Sequence, residues 1–462
     1  MRPRLLLITY SFVPDALVGA LRWQKLARHA SDFGWGLDVI TLSSRQFDRT
    51  DETALLDLPP DIRRIEVPQR QSVIGRVIRS GLAVRRAIPK SEGSAINAVS
   101  GPQVPTVSTA FRRSLLAVLE YGHHRRWAHD AFRVARRLID RSVHQAIVTT
   151  GPPHMAHEAG RLASRESGLP LVVDFRDPWS GVERLDDVGL VWYRLARMYE
   201  RRVMSSARII VANTDLAAGK IRAAYPEHAD RVITVMNGYD DDTPVPEASR
   251  GRRFLLAFAG SIYLDRSPRS LFEAAARVIR ELQLTPLDFS IEFMGQVSHL
   301  GDMPLREIAR EFGIADFVVV HPRRDRGAAH QFLASAAMLL NLPQENRSAI
   351  PAKLYEYMRF PAWILALADS NSATGVLLKA TEADLVAPDN VDAIAHVLRE
   401  RILQFRAGVL PHPIARNGRF SRRHQAVVLF DAIKTITDLA ATNETGAVSG
   451  EPRGADSAAH VG

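Results

Sequence analysis

Short apolar runs alternate with stretches of helical period along almost the whole chain, and this rhythm constrains the fold more than any single motif. "LLLIT" (5–9) carries no polar alternation, so it reads as a strand buried on both faces, the pattern of a parallel sheet. "GALRWQKLARHASDFG" (19–34) then sets Leu21, Leu26, Ala27, Ala30 and Phe33 at helical spacing and stops at Gly34. "LDVITL" (37–42), "AIVTT" (146–150), "PLVVDF" (170–175) and "RIIVAN" (208–213) continue the series, with helix-like stretches between them. Such alternation predicts a parallel sheet covered by helices on both faces.

A second series begins after a polar stretch with two prolines, read as a linker over 239–252: "FLLAFAG" (254–260), "FSIEFMG" (289–295), "DFVVVHP" (316–322), "AAMLLNLP" (336–343) and "AWILALA" (362–368). "PRSLFEAAARVIREL" (268–282) is a helix within it. At 462 residues the chain exceeds one compact core. The expected organisation is a Rossmann-like domain over 1–238 with a basic helical insert at about 68–141, the linker, a second Rossmann-like domain over 253–419, a helix over 420–440 returning to the first domain, and a disordered tail over 441–462.

Composition excludes several classes. Without cysteine the chain has no disulfide framework, thiolate zinc site or cysteine nucleophile, which fits a reducing cytoplasm. No apolar run approaches the ~18 residues of a membrane-spanning helix, and "MRPRLLLITYSFVPD" reads as a first strand, not as a signal peptide. The first loop, "YSFVPDALVG", lacks both the dinucleotide fingerprint and the P-loop pattern.

In open parallel sheets ligands bind outside the carboxyl ends of the strands, so the residues there are the candidates. Gly19 opens the first helix, whose N–H groups can hold a phosphate; it equally serves a turn. "VVDFRDPWS" (172–180) puts Asp174, Arg176 and Asp177 at a strand end, as a ligand site or as an ion pair stapling a loop. "GPPHMAHEAG" (151–160) offers His154 and His157, but no third metal ligand stands near, so metal is discounted. "AGSIYLDRSP" (259–268) brings Gly260, where backbone can approach a ligand closely, and Arg266 just ahead of a helix N-terminus, beside Asp265. "PAKLYEYMRF" (351–360) sets Lys353 and Glu356 one turn apart; they suit phosphate and ribose, or an ordinary solvated ion pair.

Together, "SFVPDALVGALRWQKLA", "GPPHMAHEAG", "DFRDPW", "NGYD", "AGSIYLDRSPRSLFEA" and "PAKLYEYM", spanning about 9 to 365, resemble the GT-B nucleotide-sugar glycosyltransferases, more narrowly the family-4 retaining group. The resemblance implies an α/β fold of two Rossmann-like domains facing each other across a cleft. It also implies metal-independent transfer of a sugar, with retention, from a nucleoside-diphosphate sugar to an acceptor hydroxyl of a glycan or lipid-linked compound, with no cofactor. Gly19, Gly260, Ser261, Arg266, Lys353 and Glu356 would bind the donor. Arg22, His154 and Asp174 would meet the acceptor, and Arg176, Asp177, Arg266 and Lys353 would carry catalysis. The chain departs from the pattern twice. Ser348 stands where the family often has a glutamate eight residues before the ribose-binding one, with Glu345 the nearest acid, and Arg176 stands where a cleft histidine is common. These departures motivate a second reading, a non-catalytic nucleotide-sugar-binding subunit; a sugar-nucleotide epimerase is a third.

Net charge is +9, and residues 63–141 hold 16 Lys/Arg against 5 Asp/Glu. "SVIGRVIRSGLAVRRAI" (72–88) groups Ile74, Val77, Ile78 and Leu82 with Arg76, Arg79, Arg85 and Arg86, and "FRRSLLAVLEYGHHRRW" (111–127) repeats the mixture. Such a pattern suits an anionic membrane surface, which predicts a peripheral cytoplasmic protein; a helical insert packed on the first domain is the other reading. Nucleic acid is disfavoured, since no helix-turn-helix or aromatic strand platform is evident.

Overall fold

The computed structural model describes residues 2–70, 107–177, 179–181, 189–247, 250–262, 267–297, 299–301, 303–342 and 347–448. Two compact units emerge: Met1–Val211 with Glu227–Ile233 and Ala426–Gly462, and Ala212–Pro226 with Thr234–Gln425.

The first unit is built on β1 (Arg4–Thr9), β2 (Gly36–Leu42), β3 (Ile62–Val67), β4 (His144–Gly151), β5 (Leu171–Phe175), β6 (Ala207–Ala212) and β7 (Val232–Thr234), in the order β3-β2-β1-β4-β5-β6-β7. The helices between them are α1 (Val18–Ala30), α2 (Thr53–Leu56), α3 (Val107–Leu138), α4 (Met155–Ser167) and α5 (Leu190–Ser206). β1 pairs in parallel with β2 on one side and β4 on the other. Leu5, Leu6, Leu7 and Ile8 are all solvent-free, which is why "LLLIT" shows no alternation. Helix α1 ends in a short 3₁₀ turn whose cap, Gly34, has φ +82°.

The second unit contains α6 (Asp215–Ala224), β8 (Phe254–Ser261), α7 (Arg269–Glu281), β9 (Phe289–Gln296), a small hairpin of β10 (His299–Leu300) and β11 (Met303–Pro304), α8 (Leu305–Glu311), β12 (Val318–His321), α9 (Arg326–Ala334), β13 (Met338–Asn341), α10 (Ala352–Tyr357), β14 (Trp363–Leu367), α11 (Ala373–Leu378), β15 (Asp384–Val386) and α12 (Val391–Arg406). Its sheet runs β12-β9-β8-β13-β14-β15. Along β8 the side chains alternate between two cores: Phe254, Leu256 and Phe258 enter one, Leu255 and Ala257 the other. Both sheets follow the Rossmann strand order, and each has its topological switch point beside its first strand, at β1/β4 and at β8/β13.

β3 was not anticipated, because "IRRIEV" reads as a polar segment. As an edge strand it is solvated, and Arg63 spends its charge on the buried Asp38 of β2. Arg4 and His144 bind the same carboxylate, and with Arg63 they outweigh the penalty of burial, holding Asp38 well below the usual carboxylate range. The last helix, α13 (Arg422–Val448), continues through residues 441–448, which composition assigns to the tail. The expected helix over 72–88 lies outside the described residues.

Candidate active site

Beside the switch point of the first unit, three carboxylates, Asp174, Asp177 and Asp15, lie at the ends of β5 and β1. Asp174, 1% exposed, receives Arg22 Nε and Nη2, each at 2.9 Å, Trp23 Nε1 at 2.8 Å and Thr150 Oγ1 at 3.1 Å. Its lone pairs are thereby occupied by α1 and β4. Arg22 and Asp174, expected at the acceptor, form a buried knot that fixes where α1 starts. Asp15 accepts the backbone N–H of Leu17 at 3.0 Å, and burial pushes its pKa up. Asp177 is also pushed up by burial, with Arg176 opposing the shift.

Arg176 reaches sideways. Nη1 donates to the carbonyl of Gly19 and Nη2 to that of Pro152 at 3.0 Å, so one guanidinium ties the loops after β1 and β4 together. A Cβ on Gly19 would stand 2.9 Å from Nη1, so a side chain there would have to displace the guanidinium. No cap side chain at Leu17 accepts from the first turn of α1, whose Ala20 N–H donates to the Leu17 carbonyl at 3.0 Å.

His154 and His157 sit behind this loop in an aromatic stack. The His154 ring lies 5.1 Å from Trp179 and 5.7 Å from His157, and Trp179 continues the stack onto Tyr199. Trp179 Nε1 donates to Tyr121 Oη at 3.0 Å, so α3 helps hold the loop. Thr149 Oγ1 stands 2.9 Å from His157 Nδ1 and 3.3 Å from the Val172 carbonyl. Burial, with Arg176 adding to it, pushes this imidazole down to about 3, so it stays neutral. Among the described residues no group of side chains has the spacing of a metal site.

In the second unit, Gly260, the last residue but one of β8, has φ +142°, and Gly295 of β9 has φ +128°. A Cβ on Gly295 would strike the Gly260 carbonyl at 2.1 Å; only glycine permits this approach of the two strands. Lys353 projects from α10 to this point. Its Nζ lies 3.5 Å from the Phe258 ring centroid and would stand 3.2 Å from a Cβ on Gly260. The helix is anchored by Tyr357, whose hydroxyl accepts from Ala259 N–H at 2.9 Å and donates to its carbonyl at 3.2 Å. Ser261 closes β8 at the same end, and Arg266 lies outside the described residues.

Glu356, one turn beyond Lys353, is held loosely. Arg326 Nη2 stands 3.5 Å from one oxygen and Arg359 Nη1 3.4 Å from the other. Arg326 also lies 3.4 Å from Asp240, which pairs with Arg422. His330, buried near this network, is pushed down by desolvation. Ser348 is buried, its Oγ accepting from Lys220 Nζ at 2.6 Å and its carbonyl accepting from Thr214 Oγ1 at 2.8 Å. Arg326, Arg359 and Lys220 were not singled out from the sequence; the partners of Arg326 and Lys220 lie 30 and 128 residues away, whereas Arg359 stands at i,i+3 from Glu356, a spacing the sequence does show.

Two sheets of this strand order, each with a polar switch point, are the architecture of the GT-B glycosyltransferases, and solved structures of that class match along nearly the whole chain. The lipopolysaccharide outer core galactosyltransferase WaaB superposes with a TM-score of 0.55 at 12% identity, covering 94% of this chain and 99% of that one. An α,α-trehalose-phosphate synthase (UDP-forming) from Burkholderia xenovorans, in complex with glucose-6-phosphate, gives 0.55 at 12% identity, with 93% and 100% covered. Anabaena HepE in complex with UDP-glucose gives 0.53 at 14% identity, with 96% and 99% covered. These likenesses define the fold.

In sequence, the chain is similar to D-inositol 3-phosphate glycosyltransferases. It is 28% identical to that of Gordonia bronchialis over 234 residues, 45% of this chain and 51% of the relative. To that of Paenarthrobacter aurescens it is 27% identical over 132 residues, 27% of this chain and 32% of the relative. The chain thus spans a third to a half of these curated relatives' length. No family model matches it.

Proposed function

We propose that the protein is a retaining glycosyltransferase that moves a sugar from a nucleoside diphosphate to an acceptor hydroxyl. The observation that carries the reading is the end of β8, where a lysine ammonium sits against a backbone that only glycines can form, with a loosely paired glutamate one turn away. Lys353 suits the diphosphate, and Gly260 and Ser261 offer main chain to it. Arg266, in the loop after β8, is proposed as a second diphosphate cation. Glu356 can exchange its long contacts to Arg326 and Arg359 for the two ribose hydroxyls, because pairs at such distances are weak. In the first unit, Arg176 positions Gly19 for the diphosphate, while Arg22 and Asp174 position α1. Asp177 is assigned to the acceptor, and His154, stacked on Trp179, supports the loop that carries it.

The C1–O bond to the diphosphate breaks, and the leaving group keeps the electron pair, its charge offset by the cations. The acceptor oxygen bonds to C1 on the same face, and its proton passes to the departing phosphate oxygen. Incubating the purified protein with a panel of nucleotide-sugars tests this: nucleoside diphosphate should be released and the product should keep the donor's anomeric configuration, while Glu356→Ala abolishes turnover. Absence of both binding and turnover with every donor would overturn the reading.

A second reading, a nucleotide-sugar-binding subunit without transfer, is favoured by Lys220 at the Ser348 hydroxyl, where the family pattern has a carboxylate. Calorimetry showing donor binding without turnover across an acceptor panel selects it. For either reading, residues 111–127 are proposed to rest on an anionic membrane, which suits a lipid-linked acceptor. Among the described residues no helix is long and apolar enough to cross one.

A further inference from the structure

Helix α5 turns outward a face on which apolar and basic side chains mix. Leu190, Val191 and Met198 are 61%, 37% and 38% exposed. Arg194, Arg201 and Arg202 are exposed as well, and the spacing from 191 through 194 and 198 to 201 and 202 gathers these side chains on one face. Ala196, Tyr199, Val203 and Met204 are buried on the other side and anchor the helix. The acid of α5, Glu200, is buried and takes a hydrogen bond from Ser180, so it does not neutralise the outer face.

Helix α3 packs beside α5, where the buried Tyr121 meets Trp192 edge-on with ring centroids 6.1 Å apart. Just before Tyr121 in the chain, Leu115, Leu116 and Val118 are between 39% and 50% exposed. Arg125 and Arg126 follow, also exposed, against one exposed acid, Glu120.

Three kinds of partner can cover an apolar, basic face. Nucleic acid would use the arginines but leaves Leu190, Val191 and Met198 without a role. A second copy meeting through a two-fold contact would set arginine against arginine, since the exposed face of α5 carries no acid to complement itself. An anionic bilayer uses both: the aliphatic groups enter the acyl boundary while guanidiniums pair with lipid phosphates.

We infer that α5, with the N-terminal half of α3, is a docking surface for an anionic lipid bilayer. Val191 and Met198 enter the interface, and Arg194, Arg201 and Arg202 bind headgroup phosphates. This extends the membrane reading of residues 111–127 to a helix that the sequence did not single out, and it stands apart from the transfer reaction.

Co-sedimentation of the full chain with vesicles tests it, using phosphatidylcholine alone or mixed with about one-third phosphatidylglycerol. The wild type should bind the anionic vesicles and not the zwitterionic ones. The triple variant Arg194→Gln, Arg201→Gln, Arg202→Gln should bind more weakly by roughly fivefold per arginine, on the order of a hundredfold in all. Val191→Ser with Met198→Gln should weaken binding without changing its salt dependence. Unchanged circular dichroism and thermal unfolding should show both variants folded, because all five side chains are exposed. Wild-type binding that both variants retain overturns the role of α5 alone. Failure of the wild type to bind overturns the membrane reading of α3 as well. Self-association that Met198→Gln abolishes, without vesicle binding, assigns the face to a second copy and also overturns the inference.

Discussion

Lys353→Met isolates one charge. Methionine keeps most of the unbranched stem, so packing on Phe258 survives while the ammonium, 3.5 Å from that ring, is lost. If Lys353 meets a phosphate oxygen, the variant loses a hydrogen bond to a charged group, a net contribution of about 1.5–3 kcal/mol. That corresponds to roughly 10- to 150-fold weaker binding of a nucleoside diphosphate. If the ammonium keeps its place over the ring when ligand binds, the cation–π contact, roughly 0.5–1 kcal/mol, contributes to fold stability and drops out of the binding difference. Calorimetry with a nucleoside diphosphate and with the matching nucleoside separates the groups. The variant should weaken the first and leave the second unchanged, and the wild type's advantage should shrink as salt rises. Equal losses for both ligands, or diphosphate affinity within twofold of wild type, would refute the assignment of Lys353 to the diphosphate.

Three further outcomes are expected. Wild type should prefer a nucleoside diphosphate over its 2′-deoxy analogue, and Glu356→Ala should erase that preference, because the carboxylate accepts the ribose hydroxyls; calorimetry on the four combinations reads it. Asp174→Ala should destabilise the chain by about 3–5 kcal/mol, since it strands the buried Arg22 guanidinium, whereas Thr150→Val should cost only about 1 kcal/mol; denaturant unfolding measures both. His157 has a folded pKa near 3 against an ordinary 6.5, so below pH ~6.5 the unfolded chain binds a proton that the folded one refuses. Stability therefore falls with pH by about 1.4 kcal/mol per unit from this group, and His157→Asn should remove that slope; identical slopes between pH 6 and 5, on the order of one unit, would contradict the burial argument.

Much of the fold was legible because the central strands are buried on both faces. "LLLIT" and "FLLAFAG" admit no polar residue until they approach the switch point, so their boundaries show in the sequence. β3 was not legible for the complementary reason: an edge strand tolerates "RR", and what makes it a strand is Asp38, 25 residues earlier. At the site, spacing alone showed that Lys353 and Glu356 share a helix end, yet it suggested that they pair with each other. The structure turns Lys353 toward Phe258 and Gly260 and gives Glu356 to Arg326 and Arg359. Those directions depend on Gly260 and on α9, which no local pattern encodes. The charged end of β5 was visible, but its division of labour was not. Asp174 turns inward to α1, and Arg176 turns to two carbonyls that lie 24 and 157 residues away.

The two residues that differ from the pattern the sequence resembles share a physical feature. A buried polar group left without a partner costs about 1–3 kcal/mol, and a site losing its function by drift accumulates such groups. Arg176, where the pattern has a histidine, is satisfied by the Gly19 and Pro152 carbonyls. Ser348, where it has a glutamate, is satisfied by Lys220 and Thr214. Both side chains thus have partners drawn from distant segments. The transfer and binding readings therefore differ in chemistry and not in the integrity of the site. A carboxylate introduced by Ser348→Glu would meet the Lys220 ammonium as an ion pair, and thermal unfolding shows whether the buried position accepts the larger side chain. Its effect on turnover then reports whether the positive charge at this corner serves the donor.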